Sequence, residues 1–170
     1  MYQAFLDAKA AGKVGHWGIS THLRAHECLE VAIETGWYDL AMVAIMPEGW
    51  HDTWSKGFVE GRGTMKELRP FLDKARASGI GLVGMKAARH IALKPYGTTD
   101  TSHYLGPTGA EPSFFDRHYD EKLLGSGLNP YQRTYAYVVR NGMDVVNADM
   151  QNMKHFEENL AAVRDAEMYA

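Results

Sequence analysis

The chain has 170 residues, 45% of them hydrophobic and 23% charged, with a formal net charge of -3. This is ordinary globular composition for one domain, and it excludes a polycationic nucleic-acid binder. The single cysteine, Cys28, excludes an internal disulfide framework. The start, Met1 to Ala11, is amphipathic, carries Asp7 and Lys9, and lacks the apolar core of a signal peptide. No stretch approaches the roughly 20 apolar residues of a membrane span. The expectation is a soluble, cytoplasmic protein.

Taken in chain order, the sequence repeats one grammar: helix, glycine stop, short apolar strand, loop. A first helix is predicted over Tyr2 to Ala11, stopped at Gly12, with a strand near Val14 to Ile19. A second covers Leu23 to Glu34 and stops at Gly36, and Tyr38 to Ile45 reads as an almost continuous apolar strand, typical of a parallel sheet covered by helices. The third helix opens on the capping-box pattern Thr64 and Glu67, carries Leu68, Phe71, Leu72 and Ala75 at helical spacing, and ends at Gly79 before a strand from Ile80 to Met85. The fourth opens at Asn129-Pro130, presents Tyr131, Tyr135 and Val138, and ends at Gly142 before Met143 to Val146. A final helix, Asn152 to Ala166, carries Phe156, Leu160 and Val163 on one stripe.

Helices alternating with short buried strands predict an α/β fold with a parallel sheet. The Gly-x-Gly-x-x-Gly turn of a doubly wound dinucleotide fold is absent, since Gly12, Gly15 and Gly18 precede or lie within a strand. Two loops break the rhythm, 47–63 and 88–128. Both follow strands, which in a barrel places them on the C-terminal face, where active sites are built.

Several segments, in this order, resemble the aldo/keto reductase family. They are AKAAGKVGHWGIST (Ala8 to Thr21), the Tyr38-Asp39 strand start, GIGLVGMK (Gly79 to Lys86), and FEENLAAV (Phe156 to Val163). The "GMK" is similar to a branch of predicted oxidoreductases. The resemblance spans nearly the whole chain and implies the C-terminal half of a (β/α)8 TIM-type barrel. The four parallel strands alternating with helices would be strands five to eight, forming a single half-barrel domain over 1–170. The family's catalytic Asp, Tyr, Lys and His belong to the first four strands, so none is carried onto this chain.

What the resemblance implies here is cofactor binding. Ser20 and Thr21 take the Ser-Asn positions that hydrogen-bond the nicotinamide amide, with Thr in place of Asn. Met42 stands where many members have Gln, and Met85 where an aromatic stacks on the nicotinamide. Lys86 is placed to reach the pyrophosphate, with Arg89 in support. Glu158 and Asn159 match a pair that touches adenine. His155 stands where NADP-specific members carry an Arg, and Asp149 would repel a 2′-phosphate. NAD or NADP is therefore the implied cofactor, with NAD slightly favoured. The implied reaction is hydride transfer with a small carbonyl or alcohol in the complete barrel.

Other readings stand beside these. Ser20 and Thr21 also suit a cap for the second helix, Glu158 and Asn159 a solvated face, and Lys86 a satisfied structural charge. His22 and His26, four apart with Glu27 beside them, could be presented by one helical face to a metal, but no third ligand follows at a telling spacing, so no metal site is expected. His51-Asp52, His90, His103 and His118 fall near the expected mouth with no spacing that selects a general acid or base. Trp37, Trp50, Trp54, Tyr96, Tyr104, Phe114 and Phe115 suit aromatic walls or ordinary packing.

Four units cannot close a barrel. The expectations are a fragment of a longer protein, self-association, pairing with a complementary chain, or long loops covering the edges. Alone, the chain should bind a nicotinamide dinucleotide weakly at most and not reduce carbonyls. The rival class is a non-catalytic binding or assembly subunit derived from a barrel.

Overall fold

A computed structural model describes the chain except for residues 53–56, 60, 92–109, 149, 151 and 165–170. Six helices are described: α1 (Tyr2–Ala10), α2 (Ala25–Thr35), α3 (Met65–Ala77), α4 (Glu121–Leu124), α5 (Pro130–Arg140) and α6 (Met153–Arg164). The strands are β1 (Gly18–Thr21), β2 (Leu40–Met46), β3 (Gly49–Asp52), β4 (Gly57–Phe58), β5 (Gly81–Met85) and β6 (Val145–Asn147).

Strands β1, β2, β5 and β6 pair in that order, every pair parallel. They are the four strands expected from the sequence, alternating with helices. Local chemistry sets several boundaries. Thr64 and Glu67 form a reciprocal capping box at the start of α3, and Asn129 and Gln132 form a second at α5. Gly12, Gly36, Gly79 and Gly142 all have positive φ, as the stop positions require. Just before β2, Asp39 binds two neighbouring strands: its carboxylate accepts from Trp17 N at 2.8 Å and its carbonyl from Gly81 N at 2.9 Å. Asp144, just before β6, ties that strand to β5, its carboxylate accepting from Leu82 N at 2.8 Å.

Four expectations are corrected. The first strand begins at Gly18 and not near Val14, because the turn after α1 runs on through Gly15. Helix α2 begins at Ala25, with Arg24 in the left-handed conformation as its N-cap, so neither Ser20 nor Thr21 caps it. The 47–63 segment is not a plain loop. It holds an antiparallel hairpin in which β3 pairs with β2 and β4 with β3. The 88–128 segment also carries short 3₁₀ turns at Arg89–Ile91 and Pro112–His118, as well as α4.

Side chains of adjacent parallel strands in register lie on the same face. One face carries Ala41, Val43 and Leu82, all fully buried beneath α2, α3 and α5. Gly84 on that face lets α5 approach, since a Cβ there would sit 3.0 Å from Met143 Cγ and 3.2 Å from Val138 Cγ1. Gly84→Val should therefore cost about 1–3 kcal/mol through overpacking, read by urea unfolding; a neutral result would mean α5 gives way easily.

The opposite face carries Ser20, Leu40, Met42, Val83, Val145 and Asn147. Leu40 is 40% and Val145 56% exposed, while Met42 and Val83 are half-buried. On this face β2 is open at its start, at Leu40, and closes along its length, since Ala44 and Met46 are fully buried and Met85 beside Ala44 is buried as well. In α6 the expected stripe is also largely open, with Phe156, Leu160 and Val163 at 43%, 48% and 40% exposure.

Helix α1 buries no residue. It is held by rings: Tyr2 stacks on Trp37 at 4.6 Å, and Phe5 on Trp17 at 5.2 Å. Trp37 therefore packs within the fold. Trp54, Tyr96 and Tyr104 lie outside the described residues.

Candidate functional site

The C-terminal ends of the parallel strands gather most of the chain's chemistry. Ser20 on β1 is directly in register with Met42 on β2, and both lie on the open face. Further along, Ala44 on β2 is in register with Met85 on β5, and Met85 with Asn147 on β6. Asn147 Nδ2 reaches Met42 Sδ at 3.9 Å, and His22 Nε2 lies 3.1 Å from Met85 Sδ. Ser20, Met42 and Met85 thus share one surface that narrows from an exposed hydroxyl to a buried thioether.

Thr21 alternates to the helix-covered face, in register with Val43. Its hydroxyl is engaged in the turn that follows, donating to Leu23 O at 2.5 Å and accepting from Leu23 N at 3.1 Å. Thr21 shapes the exit from β1 and does not share the surface of Ser20.

Lys86 follows β5 directly with φ +62, a left-handed conformation uncommon for a side-chain-bearing residue. Its carbonyl accepts from Arg89 N at 2.8 Å, closing a turn with two cations on it. Burial, and then the neighbouring Arg89, lower the ammonium's pKa from its usual value. Burial and Lys86 likewise lower that of His22. His51, which the sequence did not distinguish from the other loop histidines, is shifted as well. His51 is 5% exposed, and burial together with the Lys86 and Arg89 charges pushes its pKa down to about 4.

A second polar group gathers at the hairpin turn that follows β2. Glu48, in the β2–β3 turn, meets Arg117 Nη2 at 2.5 Å and His118 Nε2 at 2.6 Å. Burial works against its ionisation, but hydrogen bonds from Arg117 and His118 hold its carboxyl below the usual range. Arg117 also lies 4.0 Å over the Phe114 ring. This group fastens the Pro112–His118 turn to the hairpin, and of the loop histidines named above it gives His118 a carboxylate partner. His90 packs 4.4 Å from Phe114, and His103 lies outside the described residues.

His26 is occupied elsewhere. It accepts from Trp50 Nε1 at 3.2 Å, meets Glu30 at 3.6 Å and stacks on Phe71 at 4.1 Å. Among the described residues no group of three His, Cys, Asp or Glu side chains is placed to hold a metal ion, and no helix is long and apolar enough to cross a membrane.

The remaining expected residues lie on α6, apart from that surface. Asn152 caps the helix by accepting from His155 N at 3.0 Å. Glu158 pairs with Lys154 at 3.9 Å, and its carbonyl accepts from Gln132 at 2.8 Å. Asn159 lines an apolar groove of about 180 Å³ with Tyr135, Val146, Phe156, Leu160 and Val163. Asp149 lies outside the described residues. No family model, curated protein or solved structure matches the chain.

Proposed function

We propose that the chain is the C-terminal, cofactor-holding half of a (β/α)8 oxidoreductase of the aldo/keto reductase type, with the catalytic tetrad outside it. The observation that carries this reading is the open sheet face. Four parallel strands in chain order leave one apolar face open at Leu40 and Val145, and that face runs through Ser20 and Met42 to the buried Met85, with Lys86 just beyond it. A closed barrel fills its interior with that face and builds its site at that end.

The residues fit a nicotinamide dinucleotide, preferably NAD. When bound, such a cofactor supplies hydride chemistry toward a carbonyl or alcohol. The exposed Ser20 hydroxyl can hydrogen-bond a carboxamide. Met42 and Met85 offer an apolar floor without ring stacking. Lys86 offers a partly desolvated charge to a pyrophosphate. The α6 groove, with Asn159 as its polar group, has the size and character for a purine. His155 would oppose a 2′-phosphate poorly compared with a guanidinium, which favours NAD. Titration with NADH and NADPH should give weak, saturable binding, weakened several-fold in Lys86→Ala, with no turnover on a panel of aldehydes. Robust turnover would place the catalytic acid within this chain.

The uncovered face also favours a second reading, an assembly role in which another chain or another copy covers it. Exposed Leu40 and Val145 on unprotected strands promote association. Sedimentation should show a dimer or larger species. A folded, dilute monomer with a sharp unfolding transition would remove this reading.

A further inference from the structure

We infer that the end of β5 and the β3 hairpin together form a binding site for a small oxyanion, held by the Lys86 ammonium and the His51 imidazole. The inference rests on the proposed reading only in taking the strand C-terminal ends as the ligand site, and it does not need a nicotinamide.

The backbone brings the two residues together. Trp50 on β3 is in register with Ile45 on β2, so the next β3 residue, His51, falls opposite Ala44. Ala44 is in register with Met85, the residue before Lys86. His51 and the end of β5 therefore flank the same point of β2. His22, at the exit from β1, closes the third side through its contact with Met85.

His51 and Lys86 are each placed so that an anion would satisfy them. His51 Nδ1 is buried and has no hydrogen-bond partner among the described residues, and an orphaned buried polar atom costs on the order of 1–3 kcal/mol. Lys86 is half-buried with no ion pair among the described residues. Of the charged groups that act on His51, Lys86, Arg89 and His22 bear or can acquire positive charge, and Asp52 is negative. A neutral imidazole with a donor N–H beside an ammonium matches an oxyanion, combining one charge-assisted bond with one directional bond.

The backbone of Lys86 adds an independent argument. At φ +62 a side chain costs roughly 1–2 kcal/mol relative to glycine. Glycine would relieve that strain, yet a lysine is there, as at a site where local strain is retained for function.

The oxyanion could be the pyrophosphate of a dinucleotide or a phosphate or carboxylate on a second, substrate-sized molecule. The test is calorimetric titration of the whole chain with inorganic phosphate at pH 7, alone and with saturating NADH, alongside the His51 ring ¹⁵N signals. Saturable binding that moves the His51 signals is expected. Lys86→Gly should weaken it at least tenfold while leaving thermal stability unchanged or raised, which separates ligand loss from fold loss. His51→Gln should weaken it several-fold. Displacement of phosphate by NADH assigns the site to the pyrophosphate, whereas joint binding assigns it to a second molecule. Phosphate binding without NADH binding keeps the oxyanion site and removes the cofactor reading. NADH binding with unmoved His51 signals, or phosphate affinity unchanged in both variants, overturns the oxyanion site.

Discussion

Gly49→Ala is expected to destabilise the chain by roughly 2–5 kcal/mol, a large share of the 5–15 kcal/mol typical of a domain. Gly49 follows the two-residue turn between β2 and β3 with φ +116, a region essentially reserved for glycine. A Cβ there would lie 2.2 Å from the carbonyl oxygen of Gly63, a backbone atom that cannot swing away. Moving Gly63 would disturb Thr64, which caps α3, and the bond from Met65 N to Pro47 O at 3.1 Å that ties the helix start to the hairpin. Gly61→Ala is the control. Its φ is +73, but a Cβ would meet nothing within 4 Å, so only strain of about 1–2 kcal/mol applies. Thermal unfolding of both variants should show the Gly49 substitution as clearly the worse. Equal losses would mean that the hairpin does not press on the α3 entry.

The second large effect is acid sensitivity centred on His51. Its pKa is about 4 in the folded chain against an ordinary 6.5. Between those values the unfolded chain binds a proton that the folded chain refuses. Stability is therefore full above pH 6.5 and falls as pH drops toward 4, by on the order of 3 kcal/mol in all and roughly 2 kcal/mol by pH 5. Burial is the main cause, with Lys86, Arg89 and His22 adding repulsion and Asp52 opposing it. His22 and His90 are shifted in the same direction and add to the loss. The lowered carboxyls of Glu48 and Asp120 withdraw their stabilisation at lower pH, below the ordinary carboxylate range. Urea unfolding at pH 7 and pH 5 separates the two windows. His51→Phe keeps a ring in place and should abolish most of the loss between those pH values. An unchanged loss would assign it to other groups.

The regular part of the fold was legible from local chemistry. Thr64 with Glu67, and Asn129 before Pro130, mark helix starts because backbone N–H groups there need side-chain acceptors. The glycine stops and apolar runs mark the parallel strands. The hairpin was not legible. Its strands are two and four residues long, and Gly49-Trp50-His51-Asp52 has no alternation, since the first three residues are buried. The turn at Pro112–His118 is short, and its place depends on Glu48, about 70 residues away, a pairing that no local pattern encodes.

The site was legible in part for the same reason. Ser20, Met42 and Met85 lie on strands and Lys86 directly follows one, so finding the strands placed them close together. Thr21 follows from strand alternation to the other face. His51 was missed because its burial comes from the unrecognised hairpin. The openness of the Leu40 and Val145 face was also hidden, since an apolar strand reads as covered on both sides whether or not its cover belongs to the same chain.

The proposed nicotinamide dinucleotide would lie on this face and its C-terminal rim. The most direct measurement is an NMR titration of the whole chain with NADH, following the methionine methyl signals. Saturable shifts are expected at Met42 and Met85, weakened several-fold by Lys86→Ala, with the signals of Met65, buried under the other face, unmoved. A folded chain whose Met42 and Met85 signals stay fixed at millimolar NADH would contradict it.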